Sequence, residues 1–230
     1  MGDVLTPNLE AIVASEPDLV VAWSGIDTSP LERAMSGGGH VRITSIDRLA
    51  DIDRAIRDVG SWIDEDAAAE ELRRSFTATL RAADRTVTDG ERPSVLWVVW
   101  SDPIVVAGPA TFLNDLIDLV GGCNAAMQAG SRWPQLGPEP LLSLDPDVLV
   151  WSEGAGMFPK EQLLHRMPWS RLSSVGSNRV ITFQAARFNV PGPRIATAAG
   201  CTMLASSSPL SAIRGPGRLK YAFPFSPLTS

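Results

Sequence analysis

The sequence predicts an α/β protein built as two α/β lobes, each a parallel sheet flanked by helices, bridged by one long helix with a ligand cleft between the lobes. Three observations carry this expectation. Short apolar runs rich in Val, Ile, Leu and Trp alternate with longer helix-compatible segments, as in parallel strands joined by crossover helices. A helix-and-strand unit recurs at an offset of 129 residues (139 − 10), the mark of internal duplication. Between the copies, residues 47–88 carry no strand signal and contain an acid-then-base run of strong helix formers, an order that suits the helix dipole.

The strands are expected at Asp18 to Trp23, Val41 to Thr44, Ser94 to Val99, Asp147 to Trp151 and Arg179 to Phe183, each a short, turn-bounded apolar run. Helices are expected at Asn8 to Ser15, Pro30 to Met35, Thr111 to Val120, stopped by Gly121 and Gly122, and Lys160 to Arg166. The long helix follows Asp64, with Leu72, Phe76 and Leu80 as its apolar stripe. The repeat pairs Glu10, Pro17, Asp18 and Val21 with Glu139, Pro146, Asp147 and Val150. In both copies a short helix opens near a Glu, an acidic-Pro-Asp turn ends it, and a buried strand follows. The expected division is an incomplete first lobe at 1–60, a linking helix at 61–89, a second lobe at 90–205 and an irregular tail at 206–230.

Composition excludes several function classes. The chain has 230 residues, 44% hydrophobic and 20% charged, an ordinary globular balance. Residues 1–90 carry 17 acidic and 9 basic side chains, net −8, and residues 91–230 carry 9 and 11, net +2, which sums to −6. Without a run of Lys or Arg there is no footprint for a phosphate backbone, so nucleic acid is not an expected partner. Cys123 and Cys201 are the only cysteines and are expected as buried thiols. His40 and His165 lack neighbours at metal-ligand spacing, and no resident metal or cofactor is expected. Gly37-Gly38-Gly39 lacks the Lys-Ser/Thr of a phosphate loop and reads as a turn. No nucleophile elbow or marked carboxylate pair supports an enzyme. Neither a signal peptide nor an apolar run of membrane-spanning length is evident.

In open α/β sheets ligands bind beyond the carboxyl ends of strands. Trp23, Trp100 and Trp151 end or directly follow expected strands, and Trp133 sits in the Gly- and Pro-rich loop Ala129-Gly-Ser-Arg-Trp-Pro-Gln.

Asn8-Leu9-Glu10 with Pro17-Asp18-Leu19-Val20-Val21-Ala22-Trp23, then Ala107-Gly108, Phe112, Asp115-Leu116-Ile117 and Gly121-Gly122, then Trp133-Pro134-Gln135, Glu139 and Pro146-Asp147, and finally Pro191-Gly192-Pro193-Arg194 resemble the substrate-binding proteins of ABC importers for vitamin B12, ferric siderophores and haem. The resemblance runs in order from about Thr6 to Ile195. It implies two lobes joined by a stiff helix, a monomer outside the cytoplasm, and docking on a membrane permease dimer through one glutamate per lobe, here Glu10 and Glu139. In the vitamin B12 binders of this family, aromatics matching Trp23 and Trp133 line the corrinoid site. Another falls near Ile104 and Val105, and one ahead of the first glutamate is replaced by Val4. Trp100 and Val105 join the expected ligand wall, with Arg187 facing an acidic group of the ligand. The expected function is cobalamin capture and delivery, cobalamin being transported ligand rather than cofactor. The alternatives are ferric siderophore or haem on the same fold, a cytoplasmic α/β enzyme using the same cleft, and a degraded gene product without a working site. The resemblance also implies a strand, helix and strand and an export signal ahead of Met1, so the first lobe is expected to expose a strand edge.

Overall fold

The computed structural model describes residues 8–25, 27–84, 92–154, 157–184 and 190–197. Arg187, Cys201, Val4 and the tail from residue 206 lie outside the described residues.

The first lobe is α1 (Leu9–Ala14), β1 (Leu19–Trp23), α2 (Ser29–Ala34) and β2 (His40–Thr44). Asn8 caps α1 by accepting the Ala11 amide at 3.0 Å, which satisfies one of the donors a helix start leaves free. β1 and β2 are parallel, Leu19 opposite His40 through Trp23 opposite Thr44. Ala22, Leu31 and Met35 are the buried centre, with Leu9, Ile12, Val20 and Val41 packed around them. Gly39, at φ 81°, turns the chain into β2 where a Cβ would lie 2.4 Å from the Pro17 carbonyl oxygen; glycine alone meets both conditions there.

The linking segment holds the long helix expected after Asp64, as α4 (Asp66–Ala83), and ahead of it a second helix that was not expected, α3 (Leu49–Trp62). The break falls at Asp64, in the left-handed region at φ 58°. The helices then run back along each other, with Gly60 against Ala69 and Arg73 reaching Asp53 at 3.2 Å. Phe76 is buried as expected, whereas Leu72 is 44% exposed. The stripe that packs is Ala69, Phe76 and Ala83, seven residues apart and so on one helical face. Both helices face the second lobe: Leu49, Ile52, Ile56 and Phe76 share a core with Val95, Trp97, Phe112 and Leu116.

The second lobe continues with β3 (Ser94–Ser101), β4 (Ile104–Val106), α5 (Phe112–Leu119), β5 (Cys123–Asn124), β6 (Gln135–Leu136), α6 (Pro138–Leu144), β7 (Val148–Glu153), α7 (Ser173–Gly176) and β8 (Val180–Gln184), with short 3₁₀ turns at Lys160–His165, Trp169–Arg171 and Pro193–Ile195. Its sheet runs β6-β4-β3-β7-β8, with β5 on the opening residues of β3. The five expected strands are present, and Lys160–His165 is a 3₁₀ turn instead of an α-helix. β3 is buried on both faces, which is why its sequence is continuously apolar instead of alternating. Val95 and Trp97 join the α3–α5 side. Leu96 and Val98 join Leu141, Leu163, Trp169 and Leu172 on the other. Cys123 is exposed, against expectation, because the buried position of β5 is taken by Asn124.

The duplication extends to backbone angles. Glu16 and Asp145, equivalent at the 129-residue offset, both precede proline and both have positive φ, 45° and 29°. The Pro-Asp that follows starts β1 in one copy and β7 in the other. Asp147 then accepts the Ser94 amide at 2.9 Å and the Ser94 hydroxyl at 2.8 Å, fastening β7 to β3.

Those bonds carry a pH dependence. The Ser94 amide bond is the main cause holding the Asp147 carboxyl below its usual value, with burial opposing and the hydroxyl assisting. A depressed folded pKa contributes stability that is complete above the unfolded value near 4 and is lost as pH falls through the folded value. Thermal melts are therefore expected to drop as pH falls below about 4, and Asp147→Asn is expected to flatten that drop while lowering the melting temperature at pH 7. An unchanged acid slope in Asp147→Asn would remove this assignment.

Candidate functional site

The site is built at the carboxyl ends of β1 and β3. Of the seven tryptophans, Trp97, Trp151 and Trp169 are at most 2% exposed, Trp62 is intermediate, and Trp23, Trp100 and Trp133 are 40–42% exposed. The three predicted ligand-wall tryptophans are thus the half-open ones, and Trp151, also considered at a strand end, is core. Trp151 donates its Nε1–H to the Phe158 carbonyl at 3.0 Å and meets Trp169 edge-on at 4.9 Å between ring centres.

Trp100 escapes the core because β3 shifts register between Val98 and Trp100 as it pairs with β4. Such a bulge re-aims the side chains beyond it. The Trp100 indole N–H is then held at 2.8 Å by the Asp102 carbonyl. Val105, half-buried, stands opposite Trp100 across the β3–β4 pair and opposite Gln135 across the β4–β6 pair. Gln135 lies two residues beyond Trp133, so adjacent edge strands bring Trp100, Val105 and the Trp133 loop together.

The Trp133 loop is fixed from three sides. Gly108 donates its amide to the Arg132 carbonyl at 2.8 Å, and Val106 donates to the Pro134 carbonyl at 3.2 Å. The Trp133 ring meets Phe112 edge-on at 6.1 Å. A Cβ at Gly108 would lie 2.1 Å from the Ser131 carbonyl oxygen and 2.8 Å from Pro134 Cδ, so the close approach of strand exit and loop depends on this glycine. Thr111 accepts the Asn114 amide at 3.1 Å and donates to the Gly108 carbonyl at 3.0 Å, tying the start of α5 to the same point. Buried Asn124 completes the bracing by donating to the Ala107 carbonyl and to Asn114 Oδ1, both at 3.0 Å.

Sequence reasoning missed the contact that brings the first lobe to this loop. Asp47, three residues beyond Thr44, pairs with Arg132 at 2.7 Å. Thr44 is the β2 partner of Trp23, so one short stretch of chain separates the Trp23 strand end from the residue before Trp133. Next to it, the Arg48 guanidinium pairs with Asp115, which also accepts the Leu49 amide at 3.0 Å. Hydrogen bonding to Asp115 is the main cause raising the Arg48 pKa above its usual value. Neither pair has a spacing that a linear sequence reveals.

Glu10 and Glu139 both fall in the first helical turn, of α1 and α6, and both are exposed. A pocket of about 320 Å³ lies away from Trp23, Trp100 and Trp133, at the opposite ends of β1 and β2, lined by Asp18, Leu19, His40, Arg42, Trp62 and Ile63. Nothing in the sequence reading pointed there.

A family model described as periplasmic binding protein matches residues 1–186. The chain belongs to the periplasmic binding protein family. Among relatives of this binding protein, the cobalamin-binding protein of Halobacterium salinarum is 30% identical over 204 residues, which is 84% of this chain and 54% of that protein. The chain thus spans about half the length of that relative. Among solved structures, the periplasmic heme-binding protein RhuT from Roseiflexus sp. RS-1 superposes with TM-score 0.75 at 25% identity, over 87% of this chain and 80% of that one. The periplasmic vitamin B12 binding protein BtuF of Vibrio cholerae superposes with TM-score 0.71 at 21% identity, over 89% and 81%. The two-lobed α/β architecture of this binding protein is that of its structural neighbours.

Proposed function

We propose that the chain captures a corrinoid, cobalamin or a close analogue, between its lobes and delivers it to the permease of an ABC importer at the extracytoplasmic face of the membrane, without bond chemistry. The observation that carries this reading is the set of three half-exposed tryptophans at strand exits, Trp23 on the first lobe and Trp100 and Trp133 on the second. A large, flat, mostly apolar ligand gains most from aromatic walls that are fixed before it arrives, and the bracing around Gly108 supplies that fixity. Similarity to a cobalamin-binding protein supports the ligand class. Arg187 remains a proposed contact to an acidic ligand group.

Titration with cobalamin is expected to quench tryptophan fluorescence saturably, and Trp133→Ala to weaken binding at least tenfold, about 1.4 kcal/mol. Absence of saturable quenching by any corrinoid would remove this ligand. The likeness to a heme-binding protein supports haem as the second reading, separated by the same titration with haemin followed by its visible absorption.

Delivery is proposed to use Glu10 and Glu139, equivalent exposed acids placed by the duplication on both lobes. The Glu10→Ala, Glu139→Ala double variant is expected to bind ligand within twofold of the parent yet fail to stimulate ATP hydrolysis by its reconstituted importer. Undiminished stimulation would sink the docking role.

A further inference from the structure

We propose, on the reading of Trp23, Trp100 and Trp133 as the ligand wall, that Asp47 sets the charge selectivity of the cleft. It cancels Arg132 beside Trp133 and so favours flat macrocycles whose side chains are uncharged amides over those bearing free carboxylates. Arg132 is the residue before Trp133, and its side chain is 55% exposed. A half-open guanidinium next to an aromatic wall is ordinarily a carboxylate receptor, since its planar fork matches the two oxygens. Here it is already engaged by Asp47 at 2.7 Å, an acid whose side chain is 30% exposed. Both backbones are braced. The Asp47 amide donates to Asp51 Oδ2 at 3.0 Å, and the Arg48 amide donates to the same oxygen at 2.9 Å, which fixes the chain at the start of α3. On the other side the Arg132 carbonyl accepts the Gly108 amide. An ion pair set between braced backbones has less freedom to lose than one between loose surface chains, so a ligand carboxylate must compete with an acid already in place.

The neighbouring charges balance without replacing what Asp47 supplies. Arg48 pairs with Asp115 and Arg54 with Asp51. Among the described residues, the guanidiniums of Arg48, Arg54 and Arg132 at this junction thus face the carboxylates of Asp115, Asp51 and Asp47. The junction is neutral, and losing Asp47 alone leaves one net positive charge on the residue before Trp133. A side-chain amide of the ligand gains little from that charge. A carboxylate gains an exposed ion pair, which is worth a factor of roughly 1.4 to 5 at low salt.

The probes are cyanocobalamin and its monocarboxylic acid, the same corrinoid with one side-chain amide hydrolysed to carboxylate, titrated at low salt. The parent protein is expected to bind the amide form more tightly. In Asp47→Asn the ratio of the two dissociation constants is expected to shift about threefold toward the acid, and the shift to shrink at about 0.5 M salt. Arg132→Gln leaves Asp47 unpaired and is expected to move the ratio the other way, with the double variant returning it near the parent value. An unchanged ratio in Asp47→Asn would overturn the proposal. So would an equal loss for both ligands, since the pair would then only prop the Trp133 loop. If the parent binds neither corrinoid, the corrinoid reading falls by itself, and the same ratio is read with haemin and its bis-amide, whose propionates are free or capped. A parent that binds none of the four removes the ligand wall and this selectivity with it.

Discussion

Trp151→Ala is expected to lower the unfolding free energy by about 3–5 kcal/mol. Trp151 is fully buried, in contact with Phe158 at 4.8 Å and Trp169 at 4.9 Å between ring centres. Truncation removes the ring that these two pack against and leaves the Phe158 carbonyl without its donor. That carbonyl is part-buried, so losing its donor adds to the packing loss. Urea unfolding measures it as a fall in midpoint at constant slope. A loss under 1 kcal/mol would mean that this side of the sheet is not a packed core.

Gly108→Ala is the second. Adding one methyl group places it against the backbone of Ser131 and Arg132, which cannot swing aside as a flexible side chain does. The strand exit and the Trp133 loop must part, breaking the Gly108 to Arg132 hydrogen bond. The expected cost is about 3 kcal/mol, and the displaced loop is expected to weaken corrinoid binding as much as Trp133→Ala does. Gly130→Ala probes the same loop at a position with open space but φ 75°. It is expected to cost about 1 kcal/mol through backbone strain, without moving Trp133. Equal effects of the two substitutions on ligand binding would show that loop flexibility, and not the close approach at Gly108, governs the site.

The fold was legible where one interaction dominates a segment. Val95 to Val99 announces a strand because both faces of β3 are buried, and the Pro-Asp turns of the repeat announce both of their strands through the restriction that proline places on its neighbour. The two-residue strands β5 and β6 left no such trace, since pieces that short exist only by pairing with β3 and β4. The helix after Asp64 was legible from its acid-then-base run of helix formers, whereas α3 ahead of it shows itself only in the spacing of Leu49, Ile52 and Ile56, which makes sense once they are packed on the second lobe. Among the tryptophans, residue type gave proximity to strand ends but not exposure. Trp97 and Trp100 share one strand, and only the register shift past Val98 sends the second outward. The Asp47–Arg132 and Arg48–Asp115 pairs were illegible for a related reason: each joins residues more than sixty positions apart, chosen by the docking of α3 on α5.

The inward turn of α3 and α4 assigns most of the molecule's cohesion to one side. With both helices in the second-lobe core, the described residues of 8–44 keep a separate centre of three buried apolar side chains, Ala22, Leu31 and Met35, a small core. The ion pairs of Asp47 with Arg132 and of Arg48 with Asp115 tie the end of that stretch to the second lobe. Stability in such a chain is graded, and the first lobe occupies the shallow end. Opening the cleft and local melting of that lobe are then neighbouring steps on one free-energy scale, and a ligand that bridges Trp23 to Trp133 would raise both.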